Sequence, residues 1–376
     1  MRIGIDAHIL GKQRGGVERY VAEIVARVPA LLPEHRFFVF VNRRFAKKVF
    51  SSGNVTYVAT PLSDPILQRS VILPVLARRW RIDLLHTQRV LPFFAGCRCL
   101  VSMHDILPLS APDNHRGFRN FLIRRLTPGS ARRAVAVLTV SRTVRREIIE
   151  TLGVSEEKVK VVYNGLYRPS PQTAAPDENE TGIPPPYILY AGAIERRKNL
   201  LCLVRAFGRM REKTKTSLTL VIAGMDRDNA YKKELRALIG REGLDDRVIF
   251  TGFVRDTVLT GLYRNADMLV APSMGEGFDL PPLEAMALGT PVICSDIEVH
   301  RELLDDAAVF FDPVSADGLA AAILSFYAHP EQRKALVDRG LAVAGRFTWE
   351  ETARQTADIY REAFENGPAG GKGRLS

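Results

Sequence analysis

Short apolar runs alternate with segments of helical period along this 376-residue chain, stop once near its middle, and then resume. In the first half, residues 2–7, 37–41, 84–85 with their flanks, 99–103, 134–140 and 159–162 read as strands. Residues 17–28 have the spacing of an amphipathic helix, and Ser141 stands where it would cap another. From 168 to 186 the text RPSPQTAAPDENETGIPPP has no period and is rich in Pro and polar residues, which marks a linker. Strands then return at 187–191, 218–223, 248–250, 268–271, 291–294 and 309–311, with helices at 200–211, 232–241 and 349–364. Alternating β and α units in both halves imply two α/β domains with parallel sheets, each placing ligands at the carboxyl ends of its strands. The Gly-rich tail 366–376 is expected to be disordered.

Charge separates the two halves. Residues 1–160 carry 27 Lys/Arg against 12 Asp/Glu, and the remainder 26 against 30. The basic residues come in pairs such as Arg78-Arg79, Arg124-Arg125 and Arg132-Arg133, set inside apolar patterns, as on a solvated basic face. An anionic membrane surface suits such a face. A nucleic-acid role does not, because aromatics are not interleaved with the pairs and no reading helix is evident. No apolar run approaches the ~20 residues of a spanning helix, and MRIGIDAHIL resembles a buried first strand more than a signal peptide. The chain is therefore expected to be cytoplasmic, with room for peripheral contact at the inner face of the membrane. Cys97, Cys99, Cys202 and Cys294 form no C-x-x-C pair and read as reduced thiols.

Four segments carry the chemistry. In APSMGEGFDLPPLEAMALGTPVI, residues 271–293, a strand runs into a Gly-containing loop and then a helix at Pro281-Pro282 that should end near Gly289. Such a helix start favours phosphate, and Gly275 and Gly277 let a ligand approach the backbone. Glu276 and Glu284, the latter expected in the first helical turn, would be repelled by a diphosphate, so hydroxyls of a ribose or hexose are their natural partners. In YILYAGAIERRKNL, Arg196, Arg197 and Lys198 follow a strand, with Asn199 placed to cap the next helix; both features suit an anion. GKQRGGVERY, residues 11–20, has a Gly15-Gly16 turn but neither a G-x-G-x-x-G nor a Walker lysine, which excludes a dinucleotide or triphosphate fingerprint. His104, at the end of a strand, is placed to bond a sugar hydroxyl. The seven His make no close pair, so no metal is expected, and cations with helix dipoles would balance phosphate charge.

Together these residues resemble a known family. EGFDLPPLE, Glu276 to Glu284, looks like the E-x7-E motif of the retaining glycosyltransferases typified by bacterial mannosyl- and glucosyltransferases, of the glycosyltransferase family 4 type. IDAHILGKQRGGVERY, SMHDILPL, VVYNGLY, ERRKN and TGFV are similar to further segments of that family, in the same order over about residues 1–350.

The resemblance implies a GT-B fold: two Rossmann-like α/β domains facing across a cleft, with the C-terminal helix crossing back to the N-domain. The domains would be 1–167 with about 350–376, a linker 168–186, and 187–349. It implies transfer of a hexose from a nucleotide diphosphate, GDP-mannose favoured and UDP-sugars the alternative, to a glycan or lipid-linked acceptor in cell-surface polysaccharide synthesis. Retention without metal or cofactor is implied as well. Gly15 and Gly16 would approach the diphosphate, Arg197 and Lys198 would hold it, and Phe253 and Val254 would pack on the base. Glu284 would take the ribose, while Glu276 with the backbone of Gly277, Phe278, Asp279 and Leu280 would hold the sugar, and His104 its far side. Asp279 stands where Gly is commoner, and Ala193 replaces an Arg found in some relatives. A front-face route, in which the diphosphate takes the acceptor's proton, is preferred to Glu276 as covalent nucleophile. A non-catalytic nucleotide-sugar-binding protein would use most of the same residues.

Overall fold

The computed structural model describes residues 1–11, 15–43, 52–60, 68–110, 118–167, 182–214 and 217–365. Most of the expected linker, the Gly-rich tail, residues 12–14 of the first loop and 111–117 lie outside them, as do Arg44 and Lys47-Lys48. The chain divides into two compact units, Met1–Gly165 with Thr348–Ser376, and Leu166–Phe347.

Among the described residues the first unit holds seven parallel strands: β1 (Arg2–Asp6), β2 (Arg36–Asn42), β3 (Val55–Thr60), β4 (Leu84–Gln88), β5 (Arg98–Met103), β6 (Ala136–Thr139) and β7 (Val159–Val161). Their order is β3-β2-β1-β4-β5-β6-β7, so it reverses between β1 and β4. One face packs on α1 (Gly16–Leu31), through Tyr20, Ile24 and Val28. The other buries Phe38, Leu85 and Val101 against α2 (Leu73–Arg79), α3 (Phe118–Arg133) and α4 (Arg142–Leu152). Ser141 caps α4 as expected, its Oγ accepting from Val144 N at 3.2 Å. Three elements escape the sequence pattern. β3 is an edge strand, mostly half-buried or exposed, α2 is short, and α3 is rich in Arg with Pro128 inside it.

The second unit holds β8 (Tyr187–Ala191), β9 (Thr219–Ala223), β10 (Val248–Gly252), β11 (Met268–Ala271), β12 (Val292–Ser295) and β13 (Val309–Phe311), also parallel, in the order β10-β9-β8-β11-β12-β13. Here the order reverses between β8 and β11. Around them stand α5 (Leu200–Thr214), α6 (Asn229–Arg241), α7 (Asp256–Asn265), α8 (Leu280–Ala287), α9 (Glu298–Leu304), α10 (Ala316–Ala328) and α11 (Pro330–Gly345). Helix α5 is not capped by Asn199. That amide donates to the Pro313 carbonyl at 2.8 Å, and the Tyr231 hydroxyl instead accepts from Leu201 N at 3.1 Å.

After the second unit the chain returns as α12 (Trp349–Glu365), which packs on α1 in the first unit. Its Tyr360 hydroxyl bonds His86 Nδ1 at 2.6 Å, His86 Nε2 meets Ser102 Oγ at 2.8 Å, and Tyr20 reaches the same oxygen at 2.9 Å. Gly165 permits the return, because a Cβ there would stand 2.2 Å from Trp349 N. Among the described residues no helix is long and apolar enough to cross a membrane.

Candidate active site

In open α/β sheets ligands bind beyond the strand ends where the order reverses. The loops after β8 and β11, the pair at that point in the second unit, carry Arg197-Lys198 and Glu276–Asp279. Two contacts among Gly192, Gly224 and Gly252 draw the strand ends together without side chains. A Cβ on Gly224 would stand 1.8 Å from Gly192 O, and Gly224 N donates to Gly252 O at 2.9 Å.

The side chains form one line of alternating charge. Glu195 Oε1 meets Arg197 Nη2 at 2.6 Å, and Arg197 Nη1 meets Glu276 Oε2 at 2.5 Å. Glu276 Oε1 lies 2.6 Å from Lys198 Nζ, and Lys198 Nζ is 2.8 Å from Asp279 Oδ1. Asp279 Oδ2 is 3.1 Å from His300 Nε2, and His300 Nδ1 ends the line 2.9 Å from the Ser295 carbonyl. The Glu276–Lys198 contact is close but misaligned, so that buried oxygen keeps hydrogen-bonding capacity for a ligand.

Burial opposes the charges of Arg197, Lys198, Asp279 and His300, and the neighbours overcome it. It works against the cations, yet Glu276 and Glu195 hold Arg197 above its ordinary pKa, and Asp279 and Glu276 do the same for Lys198. Burial likewise opposes the Asp279 carboxylate, and Lys198 and His300 hold it well below the usual range. His300, also opposed by burial, is raised to about 10 by its bond to Asp279 and by the Cys294 thiol beside it.

Helix α8 begins at Leu280, one residue earlier than Pro281-Pro282 suggests, so Glu284 falls in its second turn and not its first. The buried Glu284 carboxylate accepts from the Tyr263 hydroxyl of α7 at 3.1 Å. Gly289, at φ 79°, closes the helix with Gly289 N on Met286 O and Thr290 N on Ala285 O, a Schellman ending. Asp279 precedes α8 in the left-handed region, at φ 65°. Phe278 is buried edge-on against Phe347, centroids 5.7 Å apart. Phe253, just past β10, exposes 56% of its surface, a free face for a planar ring, and Val254 is half-buried beside it.

In the first unit, Gly15 turns at φ 68° and, among the described residues, no side chain caps α1, which Gly16 begins. His104, half-buried after β5, is held to about 4 by burial and is neutral at pH 7. Its Nε2 lies 3.1 Å from Gln88 Oε1, and its ring stands edge-on to Tyr20 at 4.7 Å. Arg197, Lys198, Glu276 and Asp279 are thus drawn into one cluster, whereas Gly15, Gly16 and His104 belong to the other unit. His300, Tyr263 and Glu195 had no place in the sequence-level site. A lone histidine 21 residues from its carboxylate carries no local signal. Among the described residues no three His, Cys, Asp or Glu converge as metal ligands.

Known proteins resemble the chain in both of its units. The family described as Glycosyl transferases group 1 matches residues 173–342, and Glycosyltransferase Family 4 matches 14–167. The O-antigen chain mannosyltransferase B of Escherichia coli is 31% identical over 270 residues, covering 70% of each chain. The O-antigen chain mannosyltransferase RfbU of Salmonella typhimurium is 33% identical over 231 residues, 61% of each chain. Among solved structures, Anabaena HepE in complex with UDP and glucose superposes with a TM-score of 0.74 at 21% identity, over 96% of this chain and 100% of that one. The two sheets and their loops, the two matched families and the relative covering 70% of both chains lead to one conclusion: the chain belongs to the GT-B glycosyltransferases of family 4, group 1, and is mannosyltransferase-like.

Proposed function

We propose that this glycosyltransferase moves a hexose, mannose from GDP-mannose before others, onto a glycan or lipid-linked acceptor in cell-surface polysaccharide synthesis, with retention and without metal. The observation that carries the reading is the Arg197-Lys198 pair, held by Glu276 at the carboxyl ends of β8 and β11. A diphosphate arriving there takes over the cations. The bond from the anomeric carbon to the diphosphate oxygen breaks, its electrons staying with the phosphate, where Arg197 and Lys198 stabilise them. The acceptor oxygen bonds to the anomeric carbon on the same face, and its proton passes to the diphosphate. Glu276, released from the cations by the diphosphate, holds sugar hydroxyls in this front-face route and forms no bond to the anomeric carbon. Glu284, pinned by Tyr263, takes the ribose hydroxyls; Phe253 and Val254 pack on the base; neutral His104 bonds a sugar hydroxyl.

The mannosyltransferase names of the relatives support the donor sugar, and the UDP and glucose held by HepE support a UDP-sugar as second reading. Thermal shift in EDTA with GDP-mannose, GDP-fucose, UDP-glucose, UDP-N-acetylglucosamine and dTDP-rhamnose decides between them. One of these should raise the melting temperature in the wild type and not in Lys198→Ala. No response to any sugar nucleotide would sink the transferase reading, and binding without turnover would leave a sensor.

We also propose that the first unit rests on the inner face of the membrane. Phe93 and Phe94 are 54% and 85% exposed. Arg133 donates to the carbonyls of Pro92 and Phe93 and lies 5.9 Å over the Phe93 ring, with Arg132 and Arg125 exposed nearby in sequence on α3. Aromatic wedges flanked by arginines suit anionic lipid. Cosedimentation with phosphatidylglycerol vesicles, lost at high salt and reduced in Phe93→Ala/Phe94→Ala, is expected; equal retention on DNA would count against it.

A further inference from the structure

His300 lies outside every segment that the transferase reading uses, yet it is buried at the end of the charge line. Each ring nitrogen meets an oxygen that can only accept, with the Cys294 thiol also beside the ring. Nε2 meets a carboxylate oxygen of Asp279, and Nδ1 meets the carbonyl of Ser295. The neighbouring Ser295 hydroxyl offers no donor to Nδ1, because it donates to Ser273 O at 2.5 Å. A neutral imidazole has one N–H and would leave one of these contacts repulsive, so both nitrogens carry protons. The line then contains Arg197, Lys198 and His300 as cations against Glu195, Glu276 and Asp279 as anions.

Asp279 itself points to a function. A non-glycine residue at φ 65°, ψ 78° is strained and persists only where its surroundings hold it. Here the hold is the carboxylate, gripped by Lys198 on one oxygen and His300 on the other. Without the imidazolium, the whole carboxylate charge would fall on Lys198 and on any phosphate beside it.

We propose that His300 is a positioning residue for the donor: by sharing the Asp279 carboxylate it leaves Lys198 free to attract the diphosphate and keeps a net negative charge out of the phosphate site. The inference rests on the transferase reading and adds a residue that acts through Asp279. The other titratable group beside the ring is the Cys294 thiol, kept neutral by burial, while Arg301 on the same helix is engaged with Asp296.

The charge balance makes the role testable apart from folding. Calorimetric titration with GDP and with UDP at low salt should show His300→Gln binding the preferred nucleotide about tenfold more weakly, ~1.4 kcal/mol. Adding Asp279→Asn to His300→Gln removes the uncovered anion and should restore affinity to within about threefold, a reversal that lost packing does not produce. Selective 15N-histidine NMR of the wild type should show one imidazole with both nitrogens protonated at pH 8. Nucleotide binding unchanged in His300→Gln, further loss in the double variant, or a neutral His300 at pH 8 would each overturn the inference alone. A wild type that binds neither nucleotide would take the transferase reading down first.

Discussion

At the scale of single residues, Glu276 is the pivot of the site because both of its oxygens face cations, Arg197 on one side and Lys198 on the other. Removing it and removing Lys198 should therefore both abolish transfer but move nucleotide affinity in opposite directions. Glu276→Ala uncovers two cations and should bind GDP or UDP at least as tightly as the wild type. Lys198→Ala should bind about tenfold or more weakly, since a hydrogen bond to a charged group is worth roughly 1.5–3 kcal/mol. Calorimetry beside a transfer assay separates them, and matched losses of affinity would break the assignment. Tyr263→Phe tests the other carboxylate. With its hydroxyl no longer holding Glu284, the donor KM should rise about tenfold with kcat little changed.

At the scale of elements, both loops of the charge line leave neighbouring strands where the sheet order reverses. The loop texts were readable one by one: YAGAIERRKN shows a strand ending in bases, and EGFDLPPLE a loop entering a helix at prolines. Their pairing was not, since Arg197 and Gly275 lie 78 residues apart along the chain. Edge strand β3 and arginine-rich α3 stayed illegible for a different reason. Half-exposed elements have no continuous apolar face to betray their period. The crossing helix offers a direct test. α12 meets the first unit where Thr352 Oγ1 donates to Tyr163 O at 2.7 Å and Gly165 lies against the backbone of Trp349. Gly165→Ala forces those backbones apart and should cost on the order of 3 kcal/mol, read as a lower urea midpoint. An unshifted midpoint would mean that the contact is dispensable.

At the scale of the whole molecule, the buried charges tie stability to pH. His300 is raised from 6.5 to about 10 in the folded state, so its contribution is full below pH 6.5 and is lost as pH rises through 10. Asp279 is depressed below 3.8, so its contribution holds above that value and fades only in stronger acid. The melting temperature should fall between pH 6.5 and 10, by an amount on the order of a few kcal/mol in stability, and His300→Gln should flatten that fall. Parallel curves for the two proteins would refute the linkage.

The sequence by itself determined two parallel α/β domains, the loops that bear the chemistry and the family, because strand periodicity, turn glycines and the E-x7-E spacing are local and need no third dimension. Only the tertiary structure decided that Glu276 neutralises Arg197 and Lys198, that Asp279 is gripped from both sides, and that His300 and Tyr263 stand behind the site. Those contacts join loops from different strands, and their energies depend on burial, which strips water from the charges and leaves each dependent on its neighbour.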